Sequence, residues 1–135
     1  MKKKLIHKKV IEIRWGDMDA YGHVNNINYF LYAQEARFDM LEQKKLEYDP
    51  NKVAPVLAET NCKFIRPINF PETILIETWF NDIIGEKKLI FEHAIKSNYN
   101  DQIYAVLTAT NVWYDFSQKK AVLVPENIIQ ALLSG

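Results

Sequence analysis

Apolar and polar residues alternate, or recur at helical spacing, along nearly the whole chain, and each pattern predicts an element. From Val10 to Trp15 the side chains of Ile11, Ile13 and Trp15 fall on one side and those of Val10, Glu12 and Arg14 on the other, which predicts a half-buried first strand. A polar, glycine-bearing stretch through Gly22 ends it. Asn25, Asn26 or Asn28 can cap the helix that follows, because a short amide oxygen accepts from an unpaired first-turn N–H. In that helix Tyr29, Ala33, Ala36 and Met40 share one face, and Glu35, Asp39 and Glu42 form a narrow opposite stripe. Phe30, Leu31, Phe38 and Leu41 widen the apolar surface, so the helix is expected to be enclosed, as a curved sheet wrapped around it would do. Lys44, Lys45, Asp49 and Pro50 mark its exit.

Strand patterns dominate the rest. Val56, Ala58, Thr60, Cys62 and Phe64 alternate with Leu57, Glu59, Asn61, Lys63 and Ile65, predicting one mostly apolar and one mostly polar face. Arg66-Pro67 and Phe70-Pro71 break the pattern. Thr73 to Asp82 and Lys87 to Ser97 read as a hairpin turned by the residues from Asp82 to Glu86, and Asn98 to Asp101 turns into a long strand from Ile103 to Tyr114. Asp115 to Lys120 is a turn, Ala121 to Val124 a short extended piece, and Pro125 opens a helix to Leu133. A strand, a long helix and a run of antiparallel strands make an α+β domain with the helix on one sheet face.

Composition narrows the function classes. At 135 residues the chain is read as a single domain, residues 1–135, large enough to bury a core without disulfides or metal. Lys plus Arg and Asp plus Glu both count 17, so no overall field favours nucleic acid or an anionic membrane. The cluster Lys2, Lys3 and Lys4, with Lys8 and Lys9, is expected to be a solvated, partly frayed N-terminus. Cys62 is the one cysteine, which excludes an intrachain disulfide, and neither a signal-peptide h-region nor a membrane-length apolar run is present. A cytoplasmic protein is the resulting expectation.

The stretch from Arg14 to Tyr29 concentrates the candidate chemistry, with Asp17, Asp19, Gly22, His23, Asn25, Asn26 and Asn28 directly before the long helix. A helix N-terminus carries unpaired N–H groups and partial positive charge, so a polarisable carbonyl can be held beside a carboxylate there. The run Asp17-x-Asp19-x-x-Gly22-His23-Val24-Asn25-Asn26-x-x-Tyr29, followed by Glu35-Ala36-Arg37, resembles the signature of hotdog-fold acyl-CoA thioesterases of the 4-hydroxybenzoyl-CoA thioesterase type. It is also similar to the corresponding stretch of plant acyl-ACP thioesterases. The order of elements fits that fold over nearly the whole chain.

The resemblance implies roles residue by residue. Asp19 matches the catalytic carboxylate, acting as nucleophile or as general base toward water; a loop Asp is otherwise most often a turn or capping carboxylate. Asn26 matches the position that offers a backbone N–H to the developing oxyanion, a role compatible with capping by its side chain. His23 matches a functional histidine of the acyl-ACP enzymes, where it would tune Asp19, position water or tie the loop down, orientation being favoured over proton transfer. Substrate contacts are implied for Asn25, Tyr29 and Glu35, although an exposed helical Glu paired with a nearby cation accounts for Glu35 equally well. Asp17 is read as shaping the loop, and Arg37 as a partner for Asp17 or for a neighbouring subunit.

No cofactor or metal is expected, because His7, His23 and His93 lack ligand spacing, and His93 reads as a satisfied core histidine. Neither a Gly-x-Ser-x-Gly element nor a glycine-rich phosphate loop is present. Lys63, Arg66, Lys87 and Lys88 could meet the phosphates of a CoA carrier or simply guard strand edges. The resemblance implies an acyl-CoA or acyl-carrier thioester as partner and a site between subunits, and the exposed strand edges predict a homodimer or homotetramer. A hotdog module that binds acyl thioesters without turnover is the reading from another class.

Overall fold

The computed structural model describes residues 3–134; Met1, Lys2 and Gly135 lie outside them, and with Lys2 goes part of the basic cluster expected to fray. The elements are β1 (Lys4–Glu12), a 3-10 turn (Trp15–Asp17), α1 (Asn26–Gln43), β2 (Val53–Phe64), β3 (Thr73–Ile84), β4 (Lys88–Ser97), β5 (Ile103–Asp115), β6 (Lys120–Ala121) and α2 (Glu126–Leu133). The strands form one antiparallel sheet in the order β1-β3-β4-β5-β2, with β6 on β5. It curves around α1, the α+β hotdog arrangement that the motif implies.

Alternation explains the central strands. On β3 the side chains of Ile74, Ile76, Thr78 and Phe80 are fully buried, and on β5 Ala105, Leu107 and Ala109 meet the helix. From α1 come Tyr32, Ala33, Ala36 and Met40, all at or below 1% exposure. Burying one side chain of Met or Leu size stabilises by roughly 1.5–3 kcal/mol. The β3–β4 hairpin turns on Gly85 and Glu86, both left-handed with φ of 59° and 57°, the pairing that matches strand twist in a tight hairpin.

Five sequence expectations change here. The first strand begins at Lys4, well before Val10, so the part of the basic cluster that is described is ordered: Lys3 pairs with Glu92 at 2.7 Å and lies over the Trp79 ring. Its pattern was hidden because two helix-side positions are polar. His7 Nε2 lies 2.7 Å from the Asp39 carboxylate and Lys9 Nζ 3.8 Å from it, so Asp39 faces β1 instead of joining a solvent stripe. Trp15 leaves the sheet in the 3-10 turn and is 78% exposed.

On β2 a bulge at Ala58 shifts the register between Leu57 and Glu59, and one extra residue flips the faces. Pro55, Leu57, Thr60, Cys62 and Phe64 therefore sit opposite Trp113, Asn111, Ala109, Leu107 and Ala105, and Val56 turns to the other side. Finally, α1 is not enclosed within one chain. Ile27, Leu31 and Phe38 stay at 50% exposure or more on one ridge, beside the unpaired edge of β2.

Candidate active site

The loop between β1 and α1 is tied at both ends. Met18 and Val24 form an isolated antiparallel bridge, the Asp19 N–H donates to the His23 carbonyl at 2.8 Å, and the Gly22 N–H returns to the Asp19 carbonyl at 3.1 Å. Gly22 closes this turn at φ 80°, a conformation that a side chain would strain. Asp17 anchors the loop from below. Its carboxylate is 8% exposed and accepts from the Tyr32 hydroxyl at 2.6 Å, the Arg14 N–H at 3.1 Å and the Arg14 guanidinium at 3.4 Å. Burial pushes the Asp17 pKa up, but the Tyr32, Arg14 backbone and Arg14 side-chain bonds outweigh it, and the net direction is down. The Asp17 carbonyl is also occupied, by the Asn25 N–H and the Asn28 side-chain amide. Asp17 is thus spent on structure, and Arg37 does not pair with it.

Asp19 is half-buried. One carboxylate oxygen, Oδ1, accepts from the Tyr21 N–H at 2.8 Å and, at 3.5 Å, from the His23 N–H; the other is free of protein donors among the described residues. The turn-forming and the chemical readings of this residue therefore coexist, one on each oxygen. Asp19 lines an open cleft of about 330 Å³ with Val24, Asn26, Tyr29, Phe64, Ile65 and the Arg66-Pro67 pair.

Asn25 caps α1: its side-chain oxygen accepts from the Ile27 N–H at 2.9 Å. Its carbonyl takes the Asn28 N–H. Asn26 is the first helical residue, and among the described residues no acceptor meets its own N–H. A helix N-terminus with a free donor thus stands at the cleft that Asp19 lines, the kind of arrangement in which a carbonyl oxygen gaining charge is stabilised.

The remaining candidates divide. Tyr29 is buried on the cleft wall with its ring edge against Phe64 at 5.0 Å between centroids. His23 is exposed and does not line the cleft; its Nδ1–H donates to Asn69 Oδ1 at 2.5 Å, which ties the loop to the β2–β3 connection. Asn25, used as the cap, and Glu35, exposed on α1, also lie outside the cleft lining. Cys62 is half-buried, and burial pushes its thiol up to about 11, which leaves it inert at neutral pH. Of the far wall, Phe64 to Pro67, the sequence offered Arg66 as a possible phosphate contact but did not place the segment opposite the start of α1. Its only local signal was the Arg66-Pro67 break, since nothing short-range brings β2's end to the start of α1.

His93 is fully buried on β4, as its pattern implied. Its Nδ1–H donates to Thr78 Oγ1 at 2.9 Å, and the Arg37 guanidinium donates to Nε2 at 3.3 Å. Burial first, and then the Arg37 charge, push its pKa down to about 3, so the folded state holds a neutral ring. The unfolded chain takes up a proton below about 6.5. Stability from this group is therefore complete above pH 6.5 and declines as pH falls toward 3, by at most about tenfold in folding equilibrium per pH unit. Denaturant midpoints across that window are expected to fall more steeply for the native chain than for His93→Gln.

Comparison with known proteins adds to this geometry. Residues 13–132 match the family model described as the thioesterase-like superfamily. FadM of Escherichia coli, a long-chain acyl-CoA thioesterase, is 27% identical over 124 residues, 90% of this chain and 93% of FadM. YneP of Bacillus subtilis, assigned to the acyl-CoA thioesterases, is 26% identical over 91 residues, 65% of this chain and 66% of YneP. The solved structure of PA2801 from Pseudomonas aeruginosa superposes with a TM-score of 0.86 at 30% identity, over 96% of this chain and 99% of that one.

Proposed function

We propose that this chain, which belongs to the thioesterase-like superfamily and is a thioester hydrolase, cleaves acyl-CoA between the Asp19 carboxylate and the Asn26 N–H. The observation that carries the reading is their convergence: Asp19, with one carboxylate oxygen free of protein donors, and Asn26, with a helix-start N–H free of acceptors, line one cleft. The thioester carbonyl sits with its oxygen on the Asn26 N–H. Asp19 either removes a proton from an attacking water or adds to the carbonyl itself, to give an anhydride that water opens. Either way the C–S bond breaks, CoA leaves as the thiol and the acyl group leaves as the acid. The stated activity of FadM supports CoA as the carrier.

The active unit in this proposal is a homodimer. Ile27, Leu31 and Phe38 on α1, with Leu57, Phe64 and Ile65 on and beside β2, leave a broad apolar surface next to a long unpaired strand edge. Such an edge invites pairing with a second copy. A partner there would close the open side of the Asp19 cleft.

Free-thiol release from short, long and aromatic acyl-CoAs tests the reading, with sedimentation equilibrium on the same preparation. Turnover of at least one class by a species of twice the chain mass is expected. Absence of turnover across the panel, with acyl-CoA still bound, would instead favour the non-catalytic module.

A further inference from the structure

A second cavity, smaller and better enclosed than the Asp19 cleft, does not contain Asp19. It measures about 100 Å³ and lies between the second half of α1 and the sheet, with Phe38, Met40, Leu57, Leu89, Phe91 and Trp113 in its wall. Against this apolar lining stand two buried hydrogen-bond donors. Asn111 is 6% exposed, and its Nδ2 meets no acceptor among the described residues. Arg37 is 9% exposed, its guanidinium touches His93 Nε2, and no carboxylate of the described residues lies within ion-pair distance of it. The His93 ring gives no compensating charge, since an imidazole is either neutral or cationic and here accepts as a neutral ring.

A buried amide N–H without a partner costs roughly 1–3 kcal/mol, and an uncompensated buried cation costs more. Apolar cavities stay dry, whereas a roomy polar one takes up water or a ligand that satisfies its donors. Here the donors point to an acceptor with negative charge.

The cavity and the Asp19 cleft lie on one seam. Along α1, Tyr29 lines the cleft, and Arg37 lines the cavity two turns later on the same buried side. Along the helix-facing side of β2, Phe64 lines the cleft and Leu57 the cavity, with the small side chains of Thr60 and Cys62 between them. From Asn26 to Arg37 the helix advances roughly 16 Å, a span that an extended acyl chain covers.

Resting on the hydrolase reading above, we propose that this cavity receives the far end of the acyl group and that Arg37 and Asn111 select chains ending in a carboxylate. The preferred substrate class is then an ω-carboxyacyl thioester. Its terminal oxygens accept from the guanidinium and from Asn111 Nδ2, and its methylenes lie along the seam.

The test compares kcat/KM for acyl-CoAs of matched length that end in a methyl group or a carboxylate. The native chain is expected to favour the carboxylate by at least about tenfold at its best length, since a site built around a substrate oxygen rejects the analogue without it. Asn111→Leu, nearly isosteric, is expected to collapse that ratio, with carboxylate-ended turnover falling and methyl-ended turnover rising; Arg37→Met acts in the same direction. Calorimetric binding of both CoA series to Asp19→Asn gives the ratio without turnover, and there too the carboxylate series is expected to bind tighter. A preference for methyl-ended chains, or a ratio that Asn111→Leu leaves unchanged, overturns the proposal and means that the cavity holds water only. Hydrolysis of methyl-ended chains would still leave the hydrolase reading standing. If neither series turns over, that reading fails, and the binding ratio alone decides the cavity.

Discussion

Asp19→Asn is expected to lower thiol release from acyl-CoA by about 10²–10⁴-fold in kcat, the range for losing a positioned general base, while acyl-CoA binding changes little. Asn keeps the size and one oxygen of the side chain. That oxygen can go on accepting from the Tyr21 and His23 N–H groups, so the loop between Met18 and Val24 keeps its closure. What disappears is the negative charge and basicity of the second oxygen, the one without a protein donor among the described residues. The outcome thus separates the turn role of Asp19 from its chemical role, both of which the geometry contains. Thiol release against time, with calorimetry for binding, makes the measurement. Asp17→Asn serves as the contrast: Asp17 is buried under Tyr32 and Arg14, and its loss is expected to appear first in thermal stability.

Asn26→Pro is expected to cost about 10²–10³-fold in kcat, the loss found when one oxyanion donor is removed, and Asn26→Ala is expected to cost little. This contrast is available because of where Asn26 sits. It is the first residue of α1, where proline is well tolerated because that N–H has no helical partner. The residue before it, Asn25, is already extended at φ −62° and ψ 141°, the region that a following proline requires. The substitution therefore replaces the N–H by the ring Cδ and leaves the cap from Asn25 to Ile27 intact. Ala keeps the N–H and removes only the side chain. An unaltered kcat in Asn26→Pro would show that carbonyl polarisation comes from elsewhere.

What the sequence made legible was local. The loop from Asp17 to Asn26 is built from turn and cap chemistry within a few residues, so a glycine-bearing turn and a cap among Asn25, Asn26 and Asn28 follow from residue type and order, and the structure settles the cap on Asn25. The central strands were equally readable, because β3, β4 and β5 bury one face against α1. The edges were not. On β1 the polar pair His7 and Lys9 occupies the helix side, satisfied by Asp39 from a different element, so no apolar alternation marks the strand's first half. On β2 the bulge at Ala58 shifts which residues share a face, and a bulge has no signature in apolar pattern alone. The cleft's far wall and the cavity floor share that difficulty. Phe64 and Asn111 reach α1 only through strand pairing, and the isolation of Arg37 from any carboxylate becomes visible only when all its neighbours are known.

The proposed mechanism requires a single carbonyl to meet both groups, and infrared difference spectroscopy of a carbonyl-labelled thioester bound to Asp19→Asn examines that directly. The ligand is the acyl-CoA that the native chain hydrolyses fastest, held intact by the substitution. Its carbonyl band is predicted to shift to lower frequency than in water, and that shift is predicted to be lost when Asn26→Pro is added. A band at its solution position in Asp19→Asn, or a shift that survives the proline, would contradict the account.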